Sequence, residues 1–525
     1  MTTSGSLALI ASALLGVVAF PVAVNAQPAA TPAAVQGSAT AVANDNRVPA
    51  GELKDGVLTL KLVATVARWQ PEGQGVTDPT RIVQVFAEEG KAPQIPGPLV
   101  RVPAGTEIRM SVRNAIAGAP LHLFGAMTRP GDAAAFVEIA PGAVRDLRFK
   151  AGAPGTYFYF GATAGPPLGF RIPGVDAELS GAFIVDPAQG REEHDDRIFL
   201  MTEYLGPPTA SGAVPASLAI NGRSWPYTER LALPFGKAAT WRVINATFGT
   251  HPMHLHGTFY SVESLGTYAA GTIYDHDSRR LVTTEALSSG ATMTMRWVPD
   301  RVGNWLFHCH IQAHVTGDMR AADEAPGAHT ASAHGTHDVE RSMAGLVLGI
   351  NVLPGDETAA PDLEPHTYRP MTIEIESFPN RYGANPGYGF RIIDPEQPVT
   401  PAGASSSEAP PPNPSPTLVL QKNEPVMLRM ANKTTSDTTI HWHGIELESY
   451  NDGVAGWSGD TRQTTKLVPA GGTLDVWFTP PRAGTFIYHT HAHDPNQLSS
   501  GMYSALLVVP DRTKFNAEVE KVVLL

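Results

Sequence analysis

The single cysteine of the chain, Cys309, stands between two histidines in the stretch HCHIQAH at 308–314. Side chains at i and i+2 of a strand share one face and i+1 takes the other, so His308 and His310 point one way and the Cys309 thiol the opposite way. A His-x-His pair on a strand is a claw for a transition metal, because neutral imidazole suits copper or zinc and a thiolate suits soft copper. Four such claws stand at register-matched places, at 254/256, 308/310, 441/443 and 489/491, giving eight imidazoles that face one another if the segments carrying them pack together. On the other face, Cys309 joins His251 and His314 in a His2Cys set, which with a weak axial methionine is the ligand field of a blue-copper electron-transfer site. Zinc sites do not call for a cysteine with a histidine on each side, so the donor set selects copper.

The claws recur because the chain does. Alternating strands run into a polar turn at Asn114 (PAGTEIRMSVRN), Asn245 (KAATWRVINA) and Asn432 (EPVMLRMAN). Eight or nine residues on come the related tetrapeptides HLFG at 122–125, HLHG at 254–257 and HWHG at 441–444. A later strand opens at Gly155, Gly303 or Gly484, and five and seven places further stand Phe160 and Ala162, His308 and His310, or His489 and His491. Each unit closes on a hydrophobic strand: SGAFIVDP at 180–187, MAGLVLGI at 343–350 and SALLVVP at 504–510. Three strand-rich units punctuated by Gly and Pro predict an all-β chain of three tandem Greek-key β-sandwich domains, at 48–190, 191–360 and 361–525. MTIEIES at 371–377 reads as the first strand of the third unit, which makes the Pro/Ser-rich stretch 399–417 a surface loop inside it.

Composition agrees and excludes. A chain of 525 residues exceeds the roughly 250–300 that one core serves, and 42% apolar against 17% charged residues is a folded composition. The net charge of −12 lacks the positive field that a phosphate backbone needs, which excludes nucleic acid as a partner. Residues 1–26 are uncharged, and the run LALIASALLGVVAF ahead of Val24 and Ala26 reads as an export signal peptide, although MTTSG has no basic residue. That run is too short and too rich in Ala and Gly for a membrane anchor, so no stable membrane insertion is expected. The mature protein is thus expected to be periplasmic or secreted, with a flexible segment at 27–47. One cysteine rules out an intramolecular disulfide, and a thiol in an oxidising compartment has to be buried or metal-bound.

HPMHLHG at 251–257, HCHIQAH at 308–314, HWHG at 441–444 and YHTH at 488–491 resemble the signature motifs of the multicopper oxidases, the family of laccases and related metallo-oxidases. The resemblance runs over essentially the whole mature chain and implies three cupredoxin-like domains in a closed pseudo-threefold ring with about four copper ions. It implies a type 1 copper on His251, Cys309, His314 and an axial residue, and a type 2 copper on His254 and His441. A type 3 pair would use His256, His308, His310, His443, His489 and His491. The order departs from that of laccases, which carry the HWHG-like motif in the first domain and the HCH motif in the last. Here the HCH motif lies in domain two and its complement in domain three. In a ring these interfaces are equivalent, so the trinuclear cluster is expected between domains two and three. Domain one keeps His122 but has Phe124, Phe160 and Ala162, and is expected to hold no copper.

Two methionines compete for the axial place. Met319 lies ten residues after Cys309; Met343 opens the closing stretch MAGLVLGI, aligned with Leu179 before SGAFIV and with Met502 before the third copy, and is the favoured ligand. The residues between them then form an inserted loop whose His329, His334 and His337 are read as solvated. The resemblance implies that a substrate gives single electrons at the type 1 site, that they pass through Cys309 to His308 and His310, and that dioxygen takes four of them to become water. Asp452, in the NDG after HWHG, is similar in place to the family's acidic proton donor; an Asp-Gly turn without chemistry is the alternative. The reducing substrate is a phenol or aromatic amine, as in laccases, or a low-valent metal ion, and the absence of a Met-rich insert among the 13 Met favours organic donors. A self-contained ring suggests a monomer. Two rival readings remain. A copper nitrite reductase needs only three imidazoles at its catalytic copper, and its HC motif lacks the second histidine that His310 supplies. A copper-free structural cell-envelope protein of the same fold should show eroded ligands, as domain one does.

Overall fold

The structure, a computed structural model, describes residues 39–524 apart from 73–79, 164–173, 191–194, 207–215, 317–338, 356–366, 383–384, 397–414, 493–494 and 517. Three two-sheet units repeat one wiring. In each, a first long strand (Val57–Trp69, Asp195–Leu205, Arg369–Tyr382) pairs in parallel with the strand ending at the turn asparagine (Glu107–Asn114, Ala239–Asn245, Val426–Asn432). The facing sheet holds the short strand of the tetrapeptide (Leu121–Phe124, His251–Leu255, Ile440–His443) antiparallel to Gly155–Ala162, Gly303–Cys309 or Gly484–Thr490. Those pair in turn with the closing strands Ser180–Asp186, Val347–Leu353 and Tyr503–Val509. Alternation sorts the faces: Glu107–Asn114 buries Ile108, Met110 and Val112 and sends Arg109 and Arg113 to solvent. Separate cores gather around Tyr157 and Phe183, around Trp241 and Phe307, and around Trp442 and Tyr488. Among the described residues no helix is long and apolar enough to cross a membrane.

Aromatic packing closes the contact between the first and second units. Phe124 and Phe160 stack with ring centroids 4.8 Å apart, and Tyr268 of the second unit stands edge-on to Phe160 at 5.1 Å. Ile198, Leu200 and Ile244 complete this apolar cluster. Counting along the sequence makes Phe124 and Phe160 equivalents of histidines, and their faces agree, but their pairing differs. Phe124 lies opposite Phe160 and His122 opposite Ala162, two residues out of step with His254 opposite His308 and His441 opposite His489. His122 approaches Glu138 at 3.5 Å instead of a second imidazole. Beside the aromatic cluster, the buried Asp196 accepts from Arg101 at 2.6 Å and from Arg242 at 3.1 Å, tying the units by charge.

Two expectations need correction. The segment 27–47, expected to be flexible, is packed over its described part from residue 39. Val42–Ala43 pairs with Gln94–Ile95, Asn44 donates to the carbonyls of Pro96 and Gly97, and Asn46 donates to Asn221. Buried amides that satisfy backbone carbonyls hold this stretch down, which its Ala-rich composition conceals. The closing strand of the second unit begins at Val347, and Met343 sits ahead of it in an isolated bridge to Thr316 after a helical turn at Val339–Ser342. Most of the 399–417 loop lies outside the described residues, while MTIEIES falls inside Arg369–Tyr382.

Phe160→Ala removes a buried ring from the first interface and is expected to cost about 3 kcal/mol of stability. Denaturant unfolding of the variant checks this, and an unchanged midpoint contradicts the role given to the aromatic cluster.

Candidate metal centre

The strand Gly303–Cys309 is clamped by a loop of the third unit. Asn304 donates from its backbone to Gly459 (2.7 Å) and from its side chain to the Trp457 carbonyl (3.0 Å). Ser449 donates to the Asn304 carbonyl (2.6 Å) and the Trp457 indole to that of Trp305 (3.0 Å). This clamp brings two sheets together with their claws facing. Gly257 ends one claw strand at a φ of +68°, where a Cβ would lie 2.0 Å from the Trp305 ring, so the glycine of the tetrapeptide is a steric necessity.

The eight imidazoles fall into sets. His256, His308 and His491 converge, with the Nε2 atoms of His256 and His308 2.9 Å apart. His310, His443 and His489 form a second triad, with His310 Nε2 3.0 Å from His443 Nδ1. His254 and His441 meet through Nε2 at 3.4 Å. Five of these rings are held from behind. Their Nδ1–H groups donate to the carbonyls of Thr283 (from His254, 2.9 Å), Cys309 (from His308, 2.8 Å), Asp452 (from His441, 2.8 Å) and Thr490 (from His489, 2.8 Å), and to the Asp452 carboxylate (from His256, 2.8 Å). An acceptor behind Nδ1 fixes the proton there and leaves the Nε2 lone pair facing inward. His489 Nε2 is buried there without a hydrogen-bond partner. Converging unprotonated nitrogens, one of them orphaned, fit cations that prefer imidazole, and the donor set fits copper.

Electrostatics reinforce this. Burial, with the neighbouring imidazoles, pushes His489 down to about 3 and His256 to about 4, the latter in spite of Asp452. The same causes hold His254, His308, His310 and His443 well below the usual range. Burial disfavours the Asp452 carboxylate, but His256 and His441 outweigh it and keep that group well below the ordinary range.

On the opposite face of the strand, Cys309 Sγ lies 3.5 Å from Nδ1 of both His251 and His314, and those two nitrogens are 3.1 Å apart. His251 is buried and His314 half-buried, in the short turn Gln312–His314. Burial, with His314 beside it, lowers His251 to about 3, and burial pushes the Cys309 thiol up to about 12. A thiolate here therefore requires a cation beside it. Met343 is fully buried in the same core as Cys309, and the backbone after it is tied to this site by Ala344 N to Val315 O and Leu346 N to His314 O. Met319 and the loop histidines His329, His334 and His337 lie outside the described residues.

Sequence reasoning brought the metal-directed residues together but missed those behind them. Thr283 and Thr284 back His254, Ser458 donates to Asp452 at 3.0 Å, and Thr247 contacts His251 Nε2 at 2.6 Å. Only Thr247 had a signal: the Asn-x-Thr spacing recurs at Asn432 and Thr434.

Two multicopper oxidase family models match the chain, one over residues 203–322 and the other over residues 89–190 and 412–513. The chain belongs to the multicopper oxidase family, whose members are copper-dependent oxidoreductases. It is similar to Laccase-5 of Trametes villosa, 32% identical over 175 residues that make up 31% of each chain. It also resembles a probable nitrite reductase-hydroxylamine oxidoreductase fusion protein of Kuenenia stuttgartiensis, 25% identical over 290 residues, or 51% of this chain and 31% of that one. The chain spans less than a third of the length of these curated relatives. Among solved structures, the blue copper oxidase of Nitrosomonas europaea aligns over 56% of this chain and 85% of that one, with 18% identity and a TM-score of 0.42.

Histidines held below their ordinary 6.5 in the fold bind fewer protons than they do unfolded. Metal-free stability is thus intact above about pH 6.5 and falls as pH drops through the window towards 3–4, by up to about 1.4 kcal/mol per unit for each group. Thermal midpoints of the metal-free protein should be lower at pH of about 5 than at neutrality; equal midpoints contradict the buried neutral imidazoles.

Proposed function

We propose that the protein is an oxidase that takes single electrons from a reducing substrate beside Cys309 and delivers four to dioxygen among the histidine triads, forming two waters with four protons. The observation that carries this reading is that His308, Cys309 and His310 are consecutive in one strand end, with the thiol in one donor set and the imidazoles in the two triads. A type 1 copper would be held by His251, Cys309 and His314 with Met343, a type 2 copper by His254 and His441, and a type 3 pair by the two triads, about four ions in all. Bound copper supplies one-electron redox steps at the first site and dioxygen reduction at the cluster.

The chain's own residues do the rest. The half-buried His314 gives the donor its approach, while the fully buried His251 does not. The Cys309 side chain and its peptide bonds to His308 and His310 form a covalent electron path. Asp452 accepts from His256 and from the Ser458 hydroxyl, so it is the carboxyl best placed to pass protons to the cluster. Held as a carboxylate by His256 and His441, its role is to take up a proton from the Ser458 side and pass it on to the oxygen being reduced.

Substrate choice follows the wider family. Laccase-5 of Trametes villosa and the iron transport multicopper oxidase fio1 of Schizosaccharomyces pombe are both relatives, the latter 29% identical over 140 residues. We favour an organic donor, a phenol or aromatic amine, over a metal ion, because the chain has no Met-rich insert. Likeness to the Kuenenia fusion protein makes nitrite the alternative acceptor, but two triads, His256 with His308 and His491 and His310 with His443 and His489, exceed what a single three-imidazole copper needs. We read the protein as a monomer exported to the periplasm or beyond. Oxygen uptake with a phenol, an aromatic amine, Fe(II) and Cu(I), against nitrite consumption under argon, tests the reading. Nitrite reduction without oxygen uptake contradicts it.

Cys309→Ser should abolish both the thiolate-to-copper visible band and donor oxidation while the cluster keeps its copper; retained donor oxidation contradicts the path. Asp452→Asn keeps an acceptor for His256 and removes the acid, so dioxygen turnover should fall about 100-fold with copper content unchanged. Unchanged turnover across pH returns Asp452 to a structural turn.

A further inference from the structure

We infer that Thr247 is a positioning residue that sets the tautomer of His251 and so aims the His251 Nδ1 lone pair at Cys309 and His314. The copper consequences of this rest on the oxidase reading; the tautomer itself does not.

Asn245 Nδ2 donates to the carbonyls of Gly249 (2.8 Å), Leu287 (2.9 Å) and Ser288 (3.0 Å), which fixes the amide so that Oδ1 faces Thr247. That oxygen lies 3.0 Å from Thr247 N and 2.7 Å from Thr247 Oγ1. An amide oxygen cannot donate, so the single hydroxyl proton of Thr247 goes to Asn245. The Gly249 carbonyl, 3.3 Å from Thr247 Oγ1, is a more distant acceptor for that same proton, and the nitrogens close to Oγ1 must then donate to it. Gly249 N–H does so at 3.2 Å, and His251 Nε2 does so at 2.6 Å, which requires Nε2 to carry the proton. The lone pair of this buried ring is left on Nδ1, 3.5 Å from Cys309 Sγ and 3.1 Å from His314 Nδ1. His251 is thus held opposite to the five cluster rings, which keep the proton on Nδ1 and present Nε2.

The repeats supply internal controls. In the first unit Ile116 takes the place of Thr247, and the turn forms on the asparagine alone. Ile116 N donates to Asn114 Oδ1 at 3.0 Å, and Asn114 Nδ2 reaches the carbonyls of Ala119 and Ile139. In the third unit the Thr434 hydroxyl lies 2.8 Å from both Asn432 Oδ1 and the Ser436 carbonyl, but the position of His251 is filled by Thr438, whose hydroxyl turns to Gln497. The hydroxyl is optional for the turn, and only the second unit couples it to an imidazole.

Thr247→Val and Thr247→Ser in the full chain test this. In the metal-free protein, nitrogen-15 NMR of the histidine rings, with His251 assigned by its loss in His251→Gln, should show the Nε2–H tautomer in wild type and Thr247→Ser, and a mixture in Thr247→Val. In the copper-loaded protein, Thr247→Val should weaken copper binding at Cys309 by about 10–100-fold and shift the visible band and the reduction potential there, with recovery in Thr247→Ser. An Nδ1–H tautomer in wild type overturns the inference, as does a Thr247→Val protein with unchanged band, potential and copper affinity. If wild type shows the Nε2–H tautomer yet gives no thiolate-to-copper band on loading, the inference about Thr247 stands and the oxidase reading fails.

Discussion

Imidazoles packed against one another out of water cannot carry charge, and the arrangement of the second and third units depends on keeping them neutral with the proton on a chosen nitrogen. Each cluster ring whose rear contact is a carbonyl or carboxylate spends its one N–H there, and its remaining lone pair turns inward. Two of those carbonyls belong to the residue after the histidine itself, so the strand geometry that spaces the claw also sets the tautomer. Asp452 does this for two rings at once, one through its carboxylate and one through its carbonyl, which makes the NDG loop of the third unit part of the second unit's donor geometry.

The same sandwich solves its two interfaces in opposite ways. Between the first and second units the claw positions are filled by Phe124 and Phe160, and apolar packing with Tyr268 supplies the contact. Between the second and third units the equivalent space is polar, and hydrogen bonds of the 449–459 loop to Asn304 and Trp305 draw the claws together. An interface lined by imidazole lone pairs gains little from burial, so its cohesion has to come from the loop and from bound cations.

Strand alternation was legible because its period of two survives in any sandwich. It put His308 and His310 on one face and Cys309 on the other, and the structure arranges them so. The donor triads were not legible, because which ring meets which depends on the approach of two sheets and on no local spacing. The register of the first unit was also hidden: a slip of two residues preserves the face, so counting from Gly155 cannot reveal that Phe124 opposes Phe160. Asn44 and Asn46 looked like linker residues because their partners, such as Pro96 and Asn221, are remote in sequence. The choice between Met319 and Met343 rested on analogy with Leu179 and Met502, and the structure adds that Met343 is buried beside the thiol's core.

The central claim is that this chain holds two copper centres joined through Cys309. Elemental analysis of copper bound per chain in the purified, copper-loaded protein tests it most directly. The account predicts about four ions, three in the cluster and one at the thiolate. About two would point to the nitrite-reductase arrangement, and none would contradict the reading of the histidines as ligands.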